Sequence, residues 1–115
     1  MSERDAALGA AQKWMARLDA GDYPGCWSSA AELMRGAVTE EQLAQALRGA
    51  LDPMGTPVSR SVTTAEQHET LPGAPDGRYW VIGFAASYAN KKGAVETVTA
   101  MWDRDAWRVS GYYIR

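Results

Sequence analysis

A chain of 115 residues, 46% hydrophobic and 23% charged, has the length and balance of one globular domain that can bury its own core. Its 12 Lys and Arg against 14 Asp and Glu give a formal net charge of -2, so it has no general attraction for nucleic-acid phosphates or anionic lipid. A single cysteine, Cys26, and a single histidine, His68, exclude an intrachain disulfide and a His-rich metal site.

The opening stretch MSERDAALGA lacks an apolar run fit for a signal peptide, and no stretch approaches membrane-spanning length. The chain as written is expected to be cytoplasmic, or periplasmic or secreted if a signal has been trimmed. Ala7, Leu8, Ala11, Trp14, Met15 and Leu18 recur at helical spacing and predict a first helix. Ser2 is its N-cap, with Asp5 three positions on, and Gly21 closes it in the left-handed conformation. A short second helix is expected after GDYPG, with Asp22 or Tyr23 near the cap and Trp27, Ala31 and Met34 facing inward. A third starts at TEEQ, where Thr39 and Gln42 form a capping box, and buries Leu43, Ala46, Leu47 and Ala50. Asp52-Pro53 ends it, and DPMGTP is a connector.

From Val58 the period changes to two. VSRSVTTAEQHET reads as strand one, RYWVIGFAASYA as strand two, AVETVTAMW as strand three and WRVSGYYIR as strand four. LPGAPDG is a long turn. Helices over about 2–51 and strands over about 58–115 predict one α+β domain spanning 1–115, with the helices on one face of a four-stranded antiparallel sheet. No repeat, glycine-rich phosphate loop or low-complexity segment is present, and no cofactor is expected.

NKKGA fits a three-residue hairpin loop with Gly93 in the left-handed position, which sets Tyr88 opposite Glu96, Ala86 opposite Val98, Phe84 opposite Ala100 and Ile82 opposite Trp102. Lys91-Lys92 then lies in a solvated turn. DRDA fits a two-residue loop at Arg104-Asp105 that sets Trp102 opposite Trp107, Ala100 opposite Val109, Val98 opposite Gly111 and Glu96 opposite Tyr113. One face then carries Trp80, Ile82, Phe84, Trp102, Trp107 and Val109 and must pack on the helices. The five tryptophans fall at core-facing periods, so packing rather than ligand binding is expected of them.

Glu96 falls on that same face between Tyr88 and Tyr113. A charge there must be paired, hydrogen-bonded, protonated or solvated in a cleft. Arg60 on strand one and Arg115 are the candidate counter-charges. The opposite face, with Val81, Gly83, Ala85, Ser87, Val95, Thr97, Thr99, Met101, Ser110, Tyr112 and Ile114, is flat and rather apolar, which suits a homodimer that stacks these faces.

LPGAPDG, the NK…ETVT hairpin and the final WRVSGY, together with AAQKWMARLDAGDYPGCW and VTEEQLAQAL, resemble the bacterial domain-of-unknown-function family DUF4019 over nearly the whole chain. Ala106 stands where the family commonly has Gly before the Trp. The resemblance implies a cystatin-like or nuclear-transport-factor-2-like fold, with a curved sheet wrapped round a helix and often dimeric, and no assigned activity, so it carries over no catalytic residue.

Three readings follow. In the first, a non-catalytic module dimerises through the outer sheet face and takes a small ligand at Arg60, Tyr88, Glu96 and Tyr113. In the second, an isomerase- or dehydratase-like enzyme uses Glu96 as general base and Tyr113 or Tyr88 as hydrogen-bond donor. In the third, the small-residue face binds a different protein. A structural ion pair or a tyrosine-bonded lock accounts for Glu96 without chemistry and is compatible with the first.

Overall fold

The structure, a computed structural model, describes residues 2–115. Helices α1 (Glu3–Asp19), α2 (Tyr23–Ser28), α3 (Glu32–Ala37) and α4 (Glu40–Leu51) come first, followed by a 3-10 turn at Asp52–Met54. Strands β1 (Pro57–His68), β2 (Tyr79–Tyr88), β3 (Lys91–Asp103) and β4 (Ala106–Ile114) form one antiparallel sheet in the order β1-β2-β3-β4. The α+β arrangement expected from the change of period is the one found.

The local signals explain the helix ends. The Ser2 hydroxyl accepts the Asp5 amide at 3.1 Å, and Gly21 follows α1 with φ 73°. Both halves of the Thr39–Gln42 capping box are formed, at 3.1 and 2.9 Å. The stripe of α4 is Leu43, Ala44, Leu47 and Leu51, while Ala46 is exposed and Ala50 half-buried. The helix buries its i, i+4 ridge and the residue beside it.

The expected second helix is two helices. The Ala31 amide donates to the Val109 carbonyl of β4 at 2.8 Å, a bond that an amide inside a helix cannot make. The chain therefore extends at Ala31 and restarts as α3, whose own cap residue offers no side-chain oxygen. The Asp103 carboxylate of β3 supplies it, accepting the Glu32 amide at 3.0 Å.

Two registers differ from those expected. In the β2–β3 hairpin, Phe84 lies opposite Glu96, Ile82 opposite Val98 and Ala86 opposite Ala94, with Tyr88 opposite Lys91. The turn is Ala89-Asn90, not the Lys91–Gly93 loop, and Gly93 is not in the left-handed region. Its tip is held to the connector: Asn90 and Ala89 donate their amides to Met54 and Thr56 carbonyls, each at 2.8 Å. In the β3–β4 hairpin, Trp102 faces Trp107 and Ala100 faces Val109 as expected. A bulge then intervenes, so that Val98 faces Tyr112 and Thr97 faces Tyr113.

Ile82, Phe84, Val98 and Val109 on the inner face pack against Ala11, Trp14, Met15 and Leu18 of α1. Of the aromatic residues expected there, Trp80 and Trp107 are half-buried and Trp102 is 37% exposed at the hairpin end. On the other face the turn after β1 covers Tyr79, whose hydroxyl donates to the Pro75 carbonyl. Gly83 lies where a Cβ would come within 2.4 Å of the Thr64 hydroxyl, so β1 approaches β2 there as only glycine permits.

Candidate functional site

Glu96 sits near the middle of β3 on the inner face and is fully buried. Its Oε1 accepts from the Arg60 Nε at 2.7 Å. Its Oε2 accepts from the Tyr88 hydroxyl at 2.8 Å, from Arg60 Nη2 at 3.4 Å and from the Tyr112 hydroxyl. Four donors meet a group with about four lone-pair sites.

Arg60 is the hub. Besides Glu96 it donates to both Asp19 oxygens, at 2.7 and 3.0 Å, and to the Tyr88 hydroxyl at 3.1 Å. The planar guanidinium makes this possible, because its fork of donors can serve two carboxylates at once. Burial works against its charge, but the bonds to Asp19 and Glu96 outweigh that and hold it above its ordinary pKa. Burial first, and then the bond to Glu96, push the Tyr88 phenol up to about 12. The same two causes raise Tyr112 further above the usual phenol range. At neutral pH both tyrosines are therefore donors.

Each placement has a local cause. Asp19 closes the last turn of α1, where the helix dipole disfavours an acid and an arginine compensates it. Tyr88 precedes the Ala89-Asn90 turn, and only the small pair Ala86 and Ala94 separates its row from that of Glu96. Tyr112 reaches the carboxylate because the bulge in β4 turns it inward, where its ring also packs at 5.3 Å on Trp14.

Of the residues singled out from the sequence, Arg60, Tyr88 and Glu96 are brought together. Tyr113 is not: the bulge moves it to the outer face, 62% exposed, and Tyr112 takes its place. Ile114 moves inward for the same reason, opposite Glu96. Arg115 pairs with Val95 through backbone bonds at 2.9 and 3.0 Å, and Arg60 is the counter-charge. Asp19 and Tyr112 escaped sequence reasoning, though each left a signal: an acid at a helix C-terminus, and a glycine, Gly111, inside a strand pattern.

Neither lone reactive residue joins the cluster. Cys26 lies in the core, where burial pushes its thiol up to about 11. His68 is at the far end of β1, 3.5 Å from Glu66. Among the described residues no group of three or more His, Cys, Asp and Glu is placed to hold a metal ion, and no helix is long and apolar enough to cross a membrane.

Comparison with curated proteins and with solved structures gave no significant match. The model of a family of proteins of unknown function, DUF4019, matches residues 10–112, which includes Asp19, Arg60, Tyr88, Glu96 and Tyr112. The chain belongs to that family.

Proposed function

We propose that the domain is a non-catalytic module that works by association, with a second copy of itself stacked on the outer sheet face. The observation that carries this reading is the character of that face. Along its two middle strands it presents Val81, Ala85, Val95, Thr97 and Met101, with Tyr113 beside them, while its edge strands carry charge, Glu66 opposite Val81, Arg108 opposite Met101 and Arg115 opposite Val95. Val95 is 38% exposed and Tyr113 62%. A sheet face that is uncharged along its middle strands and charged at its rim can pair with a second copy of itself, two such sheets stacking at about 10 Å with their side chains interleaved. The order of helices on one face of an antiparallel meander is also consistent with a cystatin-like or nuclear-transport-factor-2-like fold, in which such pairing is common.

The enzymatic alternative, with Glu96 as base and Tyr113 as donor, gains no support from the geometry. A base needs a free lone pair aimed at substrate, and the Glu96 oxygens are engaged by Arg60, Tyr88 and Tyr112. Tyr113 lies on the other side of the sheet. The cluster fits a structural clasp.

Sedimentation velocity tests the association. The wild type is expected to sediment as a dimer at about 10–100 μM, the range in which modest interfaces form. Thr97→Lys places like charges against each other across the two-fold axis and is expected to give a folded monomer. A wild type that stays monomeric throughout that range overturns the reading.

A further inference from the structure

Three of the five tryptophans place their indole N–H on a protein acceptor: Trp14 on the Cys26 carbonyl at 2.9 Å, Trp27 on the Val38 carbonyl at 2.9 Å and Trp80 on the Glu3 carboxylate at 3.2 Å. Trp102 and Trp107 have no such acceptor among the described residues. Their rings meet edge to face at 5.7 Å, and the Arg78 guanidinium lies 5.2 and 5.5 Å from their centres. Arg78 also pairs with Glu3 at 2.5 Å, which sets the two indoles beside the first turn of α1.

Between these indoles and α1 runs a groove of about 720 Å³. That is the size of a small-molecule pocket, about 300–1,000 Å³. Its helical wall is Ala6, Gly9 and Ala10, and a Cβ added at Gly9 meets nothing within 4 Å. Space, rather than packing, therefore lies over this stretch of α1. Farther along the same wall are Lys13, which has no ion-pair partner among the described residues, and Arg17, whose contact with Asp22 is long at 3.7 Å. The groove thus offers an apolar bed, two indole rings and three cations, Lys13, Arg17 and Arg108, the last already paired with Asp105, with one acid, Asp5, in its lining. The surplus of positive charge calls for an anionic group on a ligand, and the bed calls for an apolar body.

We infer that this groove binds a small amphipathic carboxylate, its flat apolar body between the Trp102–Trp107 pair and the Ala6–Gly9–Ala10 wall, its carboxylate at Lys13 and Arg17. The site shares no residue with the Glu96 cluster or with the middle of the outer sheet face, so it stands whether or not the chain dimerises.

The test is a titration of ¹⁵N-labelled protein with 2-naphthoate, and separately octanoate, followed on the indole N–H resonances assigned by Trp→Phe variants. The Trp102 and Trp107 signals are expected to shift saturably with a Kd below about 1 mM, while those of Trp14, Trp27 and Trp80 stay in place. The neutral 2-naphthamide is expected to bind at least about tenfold more weakly, and Lys13→Gln to weaken naphthoate by about tenfold, the worth of one charge-assisted contact. Gly9→Leu fills the groove from a position where leucine favours the helix, and is expected to abolish the shifts. The inference is overturned if neither acid shifts these two resonances at about 10 mM. Binding that persists unchanged in Gly9→Leu overturns it too, as does naphthamide binding as tightly as naphthoate.

Discussion

Tyr112 and Tyr113 are neighbours with the same side chain, and the bulge in β4 gives them opposite fates. Tyr112 donates to a buried carboxylate, and Tyr113 stands in the open. Removing the Tyr112 hydroxyl leaves a buried acceptor short of one donor, so Tyr112→Phe should cost about 1–3 kcal/mol in urea unfolding, whereas Tyr113→Phe should stay within about 0.5 kcal/mol. Equal effects would mean that the two residues have been assigned to the wrong faces. The raised phenol pKa values of Tyr88 and Tyr112 also set a pH dependence. In the unfolded chain both titrate near pH ~10, while the folded protein keeps them protonated to about 12 for Tyr88 and beyond. The stability they contribute is therefore complete below about pH 10 and falls as the pH rises through 10–12, by a few kcal/mol in total. Melting temperatures at pH 8, 10 and 11 should show this fall in the wild type and a shallower one in the Tyr88→Phe/Tyr112→Phe double variant. Arg60, Tyr88 and Glu96 were legible in the sequence because a charge on a core-facing period must find partners. Tyr112 was not, because a single inserted residue reverses every later face.

The elements show why some errors of register are harmless and others are not. The β2–β3 register departs from the expected one by an even number of residues, so Ile82, Phe84 and Glu96 keep the face that their alternation predicts. The β4 bulge shifts the register by one and exchanges inside for outside. What fixes the β2–β3 turn is non-local, since the Asn90 and Ala89 amides are held by Met54 and Thr56 of the connector. No turn rule applied to NKKGA contains that information. Capping divides the same way. The Ser2 and Thr39 caps lie within four residues of what they cap and were legible, whereas α3 takes its cap from Asp103, 71 residues away. Asp103→Ala should cost about 0.5–2 kcal/mol and speed amide exchange in α3, while Asp103→Asn, which keeps an acceptor, should lose less. An Asp103→Ala protein with α3 exchange unchanged would remove Asp103 from this role.

Over the whole molecule, the Glu96 cluster joins what the sequence presents as separate elements. α1 contributes Asp19, β1 Arg60, β2 Tyr88, β3 Glu96 and β4 Tyr112, so each strand and the helix packed on the sheet place one side chain in a single polar contact. Composition and period were enough to predict helices on an antiparallel sheet, because burial of one face of each element demands it. The clasp depends on the simultaneous position of five elements, and no local pattern encodes that. Its physical consequence is cooperative: an amide in place of the carboxylate keeps one acceptor oxygen for the two phenols but sets an N–H donor against the Arg60 donors and leaves Arg60 with Asp19 as its remaining carboxylate partner. The deciding measurement is the urea unfolding free energy of Glu96→Gln against wild type at pH 7. A clasp predicts a loss of about 3–5 kcal/mol and a melting temperature lower by roughly 10–20 °C. A variant as stable as the wild type, or more stable, would contradict it, because the carboxylate would then be retained at a cost to the fold and for a chemical purpose.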